Sequence, residues 1–161
     1  MTKMIHNIQT ADYGNMKGFL VDSFFSHICR NILIKQQDLN ELHKIAIAKK
    51  FFDLVSIAMS YLAINNYKQG ARYYQTVSLL NDAKYLANSS NDILAQKINL
   101  FCSGLVEYYE KNIEVALNLL NASLYLKTDD KKFDDAIIQY RQKIELENQQ
   151  KVISSAPPSF I

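Results

Sequence analysis

Two stretches of the chain share one helical pattern about 46 positions apart, and this repeat limits the possible fold more than any other feature. In that register Asn66 falls on Asn112, and apolar residues coincide on both sides of the asparagine, as Leu54 and Leu100 do. Each copy predicts a long helix, a turn at the asparagine and a shorter helix. Repeated helix pairs bury their apolar faces against neighbouring pairs and leave extended surfaces, which most often bind other proteins. The repeat therefore favours stacked helix pairs over an enzyme built around a pocket.

The composition excludes most β architectures. Only four Gly and two Pro occur among 161 residues, too few for the many tight turns of a β fold. We therefore predict an all-α fold, a single domain of about six to seven helices arranged as stacked antiparallel helix pairs. Residues 1–16 are predicted to form a flexible N-terminus, residues 17–151 the helical domain and residues 152–161 an extended tail, because Pro157 and Pro158 cannot continue a helix.

Apolar spacing places the individual helices. The first helix carries one apolar stripe: Val21, Phe25, Ile28, Cys29 and Ile32. A long central helix is predicted from a cap at Asp38 or Asn40 to Leu62, with Ile47 on its buried face. The two asparagines that follow predict a turn, because asparagine prefers turns and caps to helix interiors.

The charge balance argues against nucleic acid as a partner. Eighteen basic residues stand against sixteen acidic ones, and only three of the basic residues are arginine. Such a protein has neither a strong positive field nor an arginine cluster with which to bind phosphates. No stretch is long and apolar enough for a membrane span, and the N-terminus lacks the apolar run of a secretory signal. We expect no membrane insertion and a cytoplasmic location where the protein is made, with secretion into a host cell without a cleaved signal as the alternative.

Motifs for catalysis or metal binding are missing from the sequence. The four glycines form no phosphate-binding loop, and the three histidines fit no metal-ligand spacing. Cys29 and Cys102 lie in apolar stripes and are predicted to be packing residues, and His27 is predicted to be a core or interface histidine. The sequence therefore predicts no catalytic residue, no metal site and no cofactor.

Adjacent tyrosines are the strongest candidates for a binding surface. Neighbours on a helix point about 100° apart, so one tyrosine of each adjacent pair can be buried while the other faces outward. Tyr74 and Tyr109 match the apolar stripes, which leaves Tyr73 and Tyr108 as the predicted protein-binding residues. The alternative is that all four tyrosines fill the core.

The C-terminus carries a second candidate for protein binding. Ser159, Phe160 and Ile161 place a hydroxyl residue two positions before a terminal aliphatic residue. This pattern resembles the C-terminal ligands that PDZ domains capture by strand addition and carboxylate binding.

Residues 50–101 resemble the central part of the catalytic domain of Ras guanine nucleotide exchange factors. The resemblance lies in the stretch from Val55 to Ala58, the turn-like sequence from Leu62 to Tyr67 and the segment that ends at Leu86. It implies a helical core that binds a small GTPase. Tyr85 stands where that family has an arginine, and the sequence shows no counterpart of the family's projecting helical hairpin.

Tetratricopeptide-like helix pairs are the second resemblance. Tyr67, Gly70 and Tyr74 are spaced as in the second helix of such a pair, although the period of 46 residues exceeds the standard 34. Three functions remain open: a non-enzymatic interaction module, such as a bacterial effector that acts on a host small GTPase; a minimal or degenerate exchange factor; and a tetratricopeptide-like scaffold or chaperone.

Overall fold

A computed structural model describes residues 12–30 and 36–155, except for the side chains at positions 29, 30, 154 and 155. These residues form seven helices and no strand, which confirms the predicted all-α class. The helices are α1 (Tyr13–Arg30), α2 (Gln36–Ala48), α3 (Phe52–Lys68), α4 (Tyr73–Ser89), α5 (Ile93–Tyr109), α6 (Ile113–Tyr125) and α7 (Lys131–Ser155).

Three of the connections are the same tight turn. Lys50, Gly70 and Lys111 follow helices α2, α3 and α5 with positive φ angles of 58°, 104° and 66°. At each turn this residue's amide donates to the carbonyl three positions earlier, and the next amide donates to the carbonyl five positions earlier, at 2.9 to 3.0 Å. This is the Schellman motif, which satisfies carbonyls that a helix end leaves without partners. Each turn reverses the chain within a few residues.

The predicted central helix is wrong, because the structure divides it into α2 and α3. The turn at Lys50 separates them, and Ile47, expected to be buried, is exposed. The predicted turn at Asn66 is also wrong, because this residue lies in the last turn of α3 and the chain reverses only at Gly70.

The repeat itself is present with a different period. Phe52 and Ile93, the first residues of α3 and α5, are 41 positions apart. Every buried position of α5 has a buried counterpart 41 residues earlier in α3. Asn66 is helical whereas Asn112 precedes α6, so the two asparagines that suggested a period of 46 are not equivalent.

Helices within a pair run antiparallel, as predicted. Near the start of α5, the Lys97 ammonium donates to the carbonyl of Ser123 near the end of α6. Farther along α5, Gly104 lies against Leu120, which comes earlier in α6. Later residues of α5 therefore contact earlier residues of α6, as in an antiparallel pair.

The odd-numbered helices run parallel to one another. Helices α5 and α7 are joined by the pairs Lys97 with Asp134 and Tyr108 with Glu147, whose numbers rise together. The contacts between α1 and α3 follow the same order. Helices α2, α4 and α6 pack on this parallel set from outside.

The centre of the core is the side chain of Phe24, which is completely buried. Its ring lies 5.5 Å from the ring of Tyr61 on α3, 6.0 Å from Phe101 on α5 and 6.0 Å from Phe133 on α7. Aromatic pairs at such distances add to the free energy of area burial. One side chain therefore joins all four parallel helices.

The helical region extends farther at both ends than the sequence predicts. Helix α1 already begins at Tyr13, and α7 continues to Ser155. The polar run from Glu145 to Lys151 consists mainly of good helix formers, and the first helix breaker after it is Pro157. Because Glu147 lies beside Tyr108 near the end of α5, the last two turns of α7 run past the end of that helix.

Two glycine substitutions are expected to change stability in opposite directions. A Cβ atom at Gly104 would lie 2.9 Å from Cδ2 and 3.1 Å from Cγ of the fully buried Leu120, so Gly104→Ala overpacks the contact between α5 and α6. We expect a loss of about 1–3 kcal/mol in the free energy of unfolding. Gly18→Ala meets no atom within 4 Å and gains about 0.5–1 kcal/mol of helix propensity. Urea unfolding of both variants measures the two changes in the free energy of unfolding. An unchanged free energy of unfolding for Gly104→Ala would contradict the close contact between α5 and α6.

Candidate protein-binding surface

The structure changes which tyrosines are exposed. Tyr73 and Tyr74 are both exposed, at 39% and 61%, because they form the first turn of α4 before its buried stripe begins at Thr76. Tyr109 is 37% exposed, whereas Tyr108 is half-buried and packs against the core. The expected burial of Tyr74 and Tyr109 is therefore wrong. Tyr109 does follow the buried stripe of α5, but it is the last residue of that helix, where covering is incomplete.

Three tyrosine hydroxyls donate to three glutamates where α3 and α5 end, and we call these six residues the tyrosine–glutamate cluster. The pairs are Tyr67 with Glu110 at 3.0 Å, Tyr73 with Glu107 at 2.5 Å and Tyr108 with Glu147. Each pair joins two different helices or a helix and a turn, so the cluster fixes the rings in place.

The cluster also keeps the hydroxyls protonated. The hydrogen bond to Glu107, with some burial, raises the pKa of Tyr73 to about 12. Burial, with the hydrogen bond to Glu147, raises the pKa of Tyr108 to about 12. Both side chains are neutral donors at physiological pH. Glu107 joins α5 to Tyr73 on α4, whereas Tyr108 joins α5 to α7, so Tyr73 and Tyr108 lie on different sides of α5 rather than in one patch.

A groove of about 470 Å³ opens on the α7 side of α5. Its apolar surface comes from Tyr108, Tyr109 and Ile113, and three lysines and one glutamate lie around it: Lys111, Lys143, Lys151 and Glu147. The groove exists because α7 runs past the end of α5. Of the residues that line the groove, only Tyr108 was predicted from the sequence to bind a protein. The lysines could not be predicted, because exposed lysines follow no recognisable spacing.

The floor of the groove is ordered by stacking. The ring of Tyr109 lies 6.1 Å from that of Tyr67 at an interplanar angle of 13°, and the Lys68 ammonium lies 6.0 Å from the Tyr109 ring centroid. The ring of Tyr108 also lies close to that of Tyr109, at 5.5 Å. A ring held in this way loses little conformational entropy when a ligand covers it.

One edge of the groove is the N-terminus of α6. Asn112 is in the N-cap position, but its side-chain amide donates to Glu107 at 2.7 Å and makes no cap hydrogen bond to α6. The positive end of the α6 dipole therefore has no side-chain acceptor from its N-cap residue beside Ile113.

The second predicted binding element lies outside the described residues. Ser159, Phe160 and Ile161 belong to the last six residues of the chain, which the structure does not describe.

Buried ionisable groups have packing roles in this fold. Lys97 is completely buried, and its ammonium donates to the carbonyls of Ser123 at 3.1 Å and Leu126 at 2.7 Å and to the Asp134 carboxylate. It thereby binds the last carbonyls of α6 and the first turn of α7 together. Sequence reasoning missed this residue, because lysine is almost never fully buried and no pattern marks the exception.

His27 and Cys102 are buried without any arrangement for catalysis among the described residues. Burial, with the nearby positive charge of Lys68, lowers the pKa of His27, whose two ring nitrogens have no hydrogen-bond partner. Burial raises the pKa of the Cys102 thiol, so this group is a poor nucleophile at neutral pH. In the part of the chain that the structure describes, no three His, Cys, Asp or Glu side chains lie close enough to bind a metal ion.

Comparison with protein families gives a match over most of the chain. The model of the family described as transport protein Avl9 matches residues 30–156, more than three quarters of the chain. The chain belongs to the Avl9 family. Comparisons with curated proteins and with solved structures find no significant match.

Membership of the Avl9 family contradicts both predicted resemblances. The sequence from Leu62 to Tyr67, interpreted as the turn of an exchange factor, is helical within α3. The tetratricopeptide pattern from Tyr67 to Tyr74 spans the end of α3, a turn and the start of α4 rather than one helix. Both patterns reflected general helix-forming and turn-forming residues. The family description implies a transport-related role for this member.

None of the seven described helices of this Avl9 family member has the length and apolar character required to cross a lipid bilayer.

Replacement of the buried lysine tests its packing role. Lys97→Met leaves the Asp134 carboxylate and two helix-end carbonyls without their donor, and we expect a loss of about 3 kcal/mol in the free energy of unfolding. Lys84→Met at an exposed position of α4 should change it by less than about 0.5 kcal/mol. Urea unfolding of both variants compares them, and equal stabilities would show that the Lys97 contacts contribute nothing.

The lowered pKa of His27 predicts weaker folding in acid. The unfolded chain binds a proton at the ordinary histidine pKa near 6.5, whereas the folded chain resists protonation, so stability is full above about pH 6.5 and falls as the pH decreases. The pKa of His43 is also lowered by burial and contributes in the same direction. Urea unfolding between pH 5 and pH 7.5 should give a shallower pH dependence for His27→Gln than for the wild type. An unchanged slope would contradict the assignment.

Proposed function

We propose that this chain is a non-enzymatic helical interaction module that serves transport by holding a partner protein in the groove beside Tyr108 and Tyr109. The observation that carries the proposal is the groove itself, which presents ordered aromatic surface between positive side chains at one end of the fold. The family description supplies the transport context.

The energetics of the groove support a protein partner. Tyrosines are enriched among the residues that contribute most to protein interfaces, because a ring offers a large area with few rotatable bonds. Tyr109 is partly exposed and rests on Tyr67, and Tyr108 is held through its hydroxyl by Glu147. A partner would therefore meet a surface that is already in its binding conformation, which reduces the entropic cost of association.

The buried ionisable groups support a non-enzymatic role. Lys97 is fully engaged with helix ends, and Cys102 is buried with a raised pKa. Neither group reaches the groove, whose lining consists of two tyrosines, three lysines, Ile113, Glu147 and Asn148.

Two further elements remain proposals beside the groove. Tyr73 is exposed on the α4 side of α5 and offers a separate contact. The sequence from Ser159 to Ile161 retains its PDZ-ligand pattern. The hypotheses of a bacterial effector and of a small-GTPase partner depended largely on a resemblance that the family match overturns, so they form no part of this proposal.

Site-specific photo-crosslinking tests the groove as the binding surface. A benzophenone amino acid replaces Asn148, which lines the groove, or Tyr125, which is 85% exposed near the opposite end of α5. In an extract of the source organism we expect a discrete adduct from position 148 and none from position 125. Excess unlabelled wild type should compete for the adduct, and Tyr109→Ala should need about tenfold more protein, the effect of losing an interface aromatic.

Three outcomes decide the result. Equal labelling from both positions, or equal competition by wild type and Tyr109→Ala, would contradict the groove as the surface. A chain ending at Ser155 that no longer forms the adduct would assign binding to the C-terminal sequence instead.

A further inference from the structure

The lining of the groove has a net positive charge. Three lysines and one glutamate line it, which gives a local charge of +2, the same as the net charge of the entire chain. The rest of the sequence is therefore balanced in charge. Two nearby carboxylates are engaged by other side chains: Glu107 accepts from Tyr73 on α4 and from Asn112 before α6, and Glu110 accepts from Tyr67 on α3.

The single acidic residue of the lining is held to one side. Glu147 accepts the hydrogen bond of the Tyr108 hydroxyl, so its carboxylate lies against the wall formed by α5 and α7. On another edge, the N-cap residue of α6, Asn112, donates to Glu107 instead of capping the helix, and Glu114 in the first turn supplies negative charge to this helix end. The backbone amides at the N-terminus of a helix lack intrahelical acceptors and favour negative charge nearby.

The floor between these groups is apolar. Tyr109 and Ile113 provide a surface that a large apolar side chain can cover, and the volume of about 470 Å³ suits a few residues of an extended chain rather than a folded domain. A ligand that fits both features has carboxylates on either side of an aliphatic or aromatic group.

We infer that the groove binds an acidic segment of a partner protein, in which carboxylates flank a large apolar side chain. This inference rests on the proposed function and specifies the chemistry of the partner. The carboxylates pair with Lys111 and Lys143, and the apolar side chain packs on Tyr109 and Ile113.

Defined peptides test the inference by fluorescence polarisation on the full chain. The probe is the labelled peptide Asp-Glu-Glu-Leu-Phe-Asp-Glu-Glu. One control replaces every acid by its amide, and the other replaces Leu-Phe by Ser-Ser. We expect the probe to bind about tenfold more tightly than either control, and to weaken as salt rises from about 0.05 to 0.5 M, because salt screens exposed charges.

Matched lysine variants locate the site. Lys111→Gln with Lys143→Gln should weaken binding of the probe about tenfold, whereas Lys84→Gln with Lys127→Gln, two exposed lysines outside the groove, should leave it unchanged. Thermal melts of both double variants confirm that they are folded, since all four positions are exposed.

The outcomes separate this inference from the proposed function. If the amide control binds as tightly as the probe, or both double variants lose binding equally, the inference is overturned, and a discrete adduct from position 148 would still support the proposed function. If vesicles of 30% phosphatidylserine in phosphatidylcholine bind through Lys111 and Lys143 while the probe does not, the ligand is a lipid surface and the inference is also overturned. Absence of both peptide binding and the adduct would remove the proposed function as well.

Discussion

The contact on which the remaining structure depends is the Phe24 ring against Tyr61, Phe101 and Phe133. This one buried side chain touches three other helices, and α1, α3, α5 and α7 lie parallel around it. The interior that a stack of helix pairs could leave open is therefore filled by aromatic side chains. Binding has to occur at the ends of the helices or on the outer layer. The groove lies at such an end, where α7, held beside α1 and α5 by Phe133 and Tyr140, runs past α5.

Ionic contacts hold the opposite ends of the helices in register. Lys17 reaches Asp53 at 3.4 Å and Asp92 at 3.1 Å, which joins α1 to the starts of α3 and α5. Burial opposes the charge of Lys17, but hydrogen bonds with Tyr13 and Asp92 raise its pKa, so it stays charged. Lys97 joins α6 to α7 in a comparable way. These contacts limit sliding of one helix along another, and such sliding would alter the distance between Tyr108 and Glu147.

The sequence was sufficient to predict the fold class, because the apolar spacing of a helix can be recognised without knowing which helices it packs against. The sequence was insufficient to predict burial wherever two neighbouring apolar residues could each belong to the buried face of a helix. The stripe through Val21 and Phe25 left out Phe24, although the two phenylalanines differ by only 100° in direction and the partner helices decide which is central. The period of 46 failed for a related reason. Asparagine is common both in a last helical turn and at an N-cap, so matching Asn66 with Asn112 equated two different environments.

The groove could not be predicted from local pattern, because each of its features depends on where helices end. Tyr109 follows a buried stripe and is exposed only because α5 stops there, and Asn112 fails to cap α6 only because Glu107 is within its reach. The lysines are ordinary surface residues until α7 brings Lys143 and Lys151 opposite Lys111. Their charges are exposed and screened by water and salt, so they would contribute modestly to the affinity for a partner and more strongly to the rate of encounter. Under the proposed function, the chain has to release its partner as well as bind it, and this combination serves both needs: the small aromatic floor would limit the affinity, and the surrounding charge would speed capture.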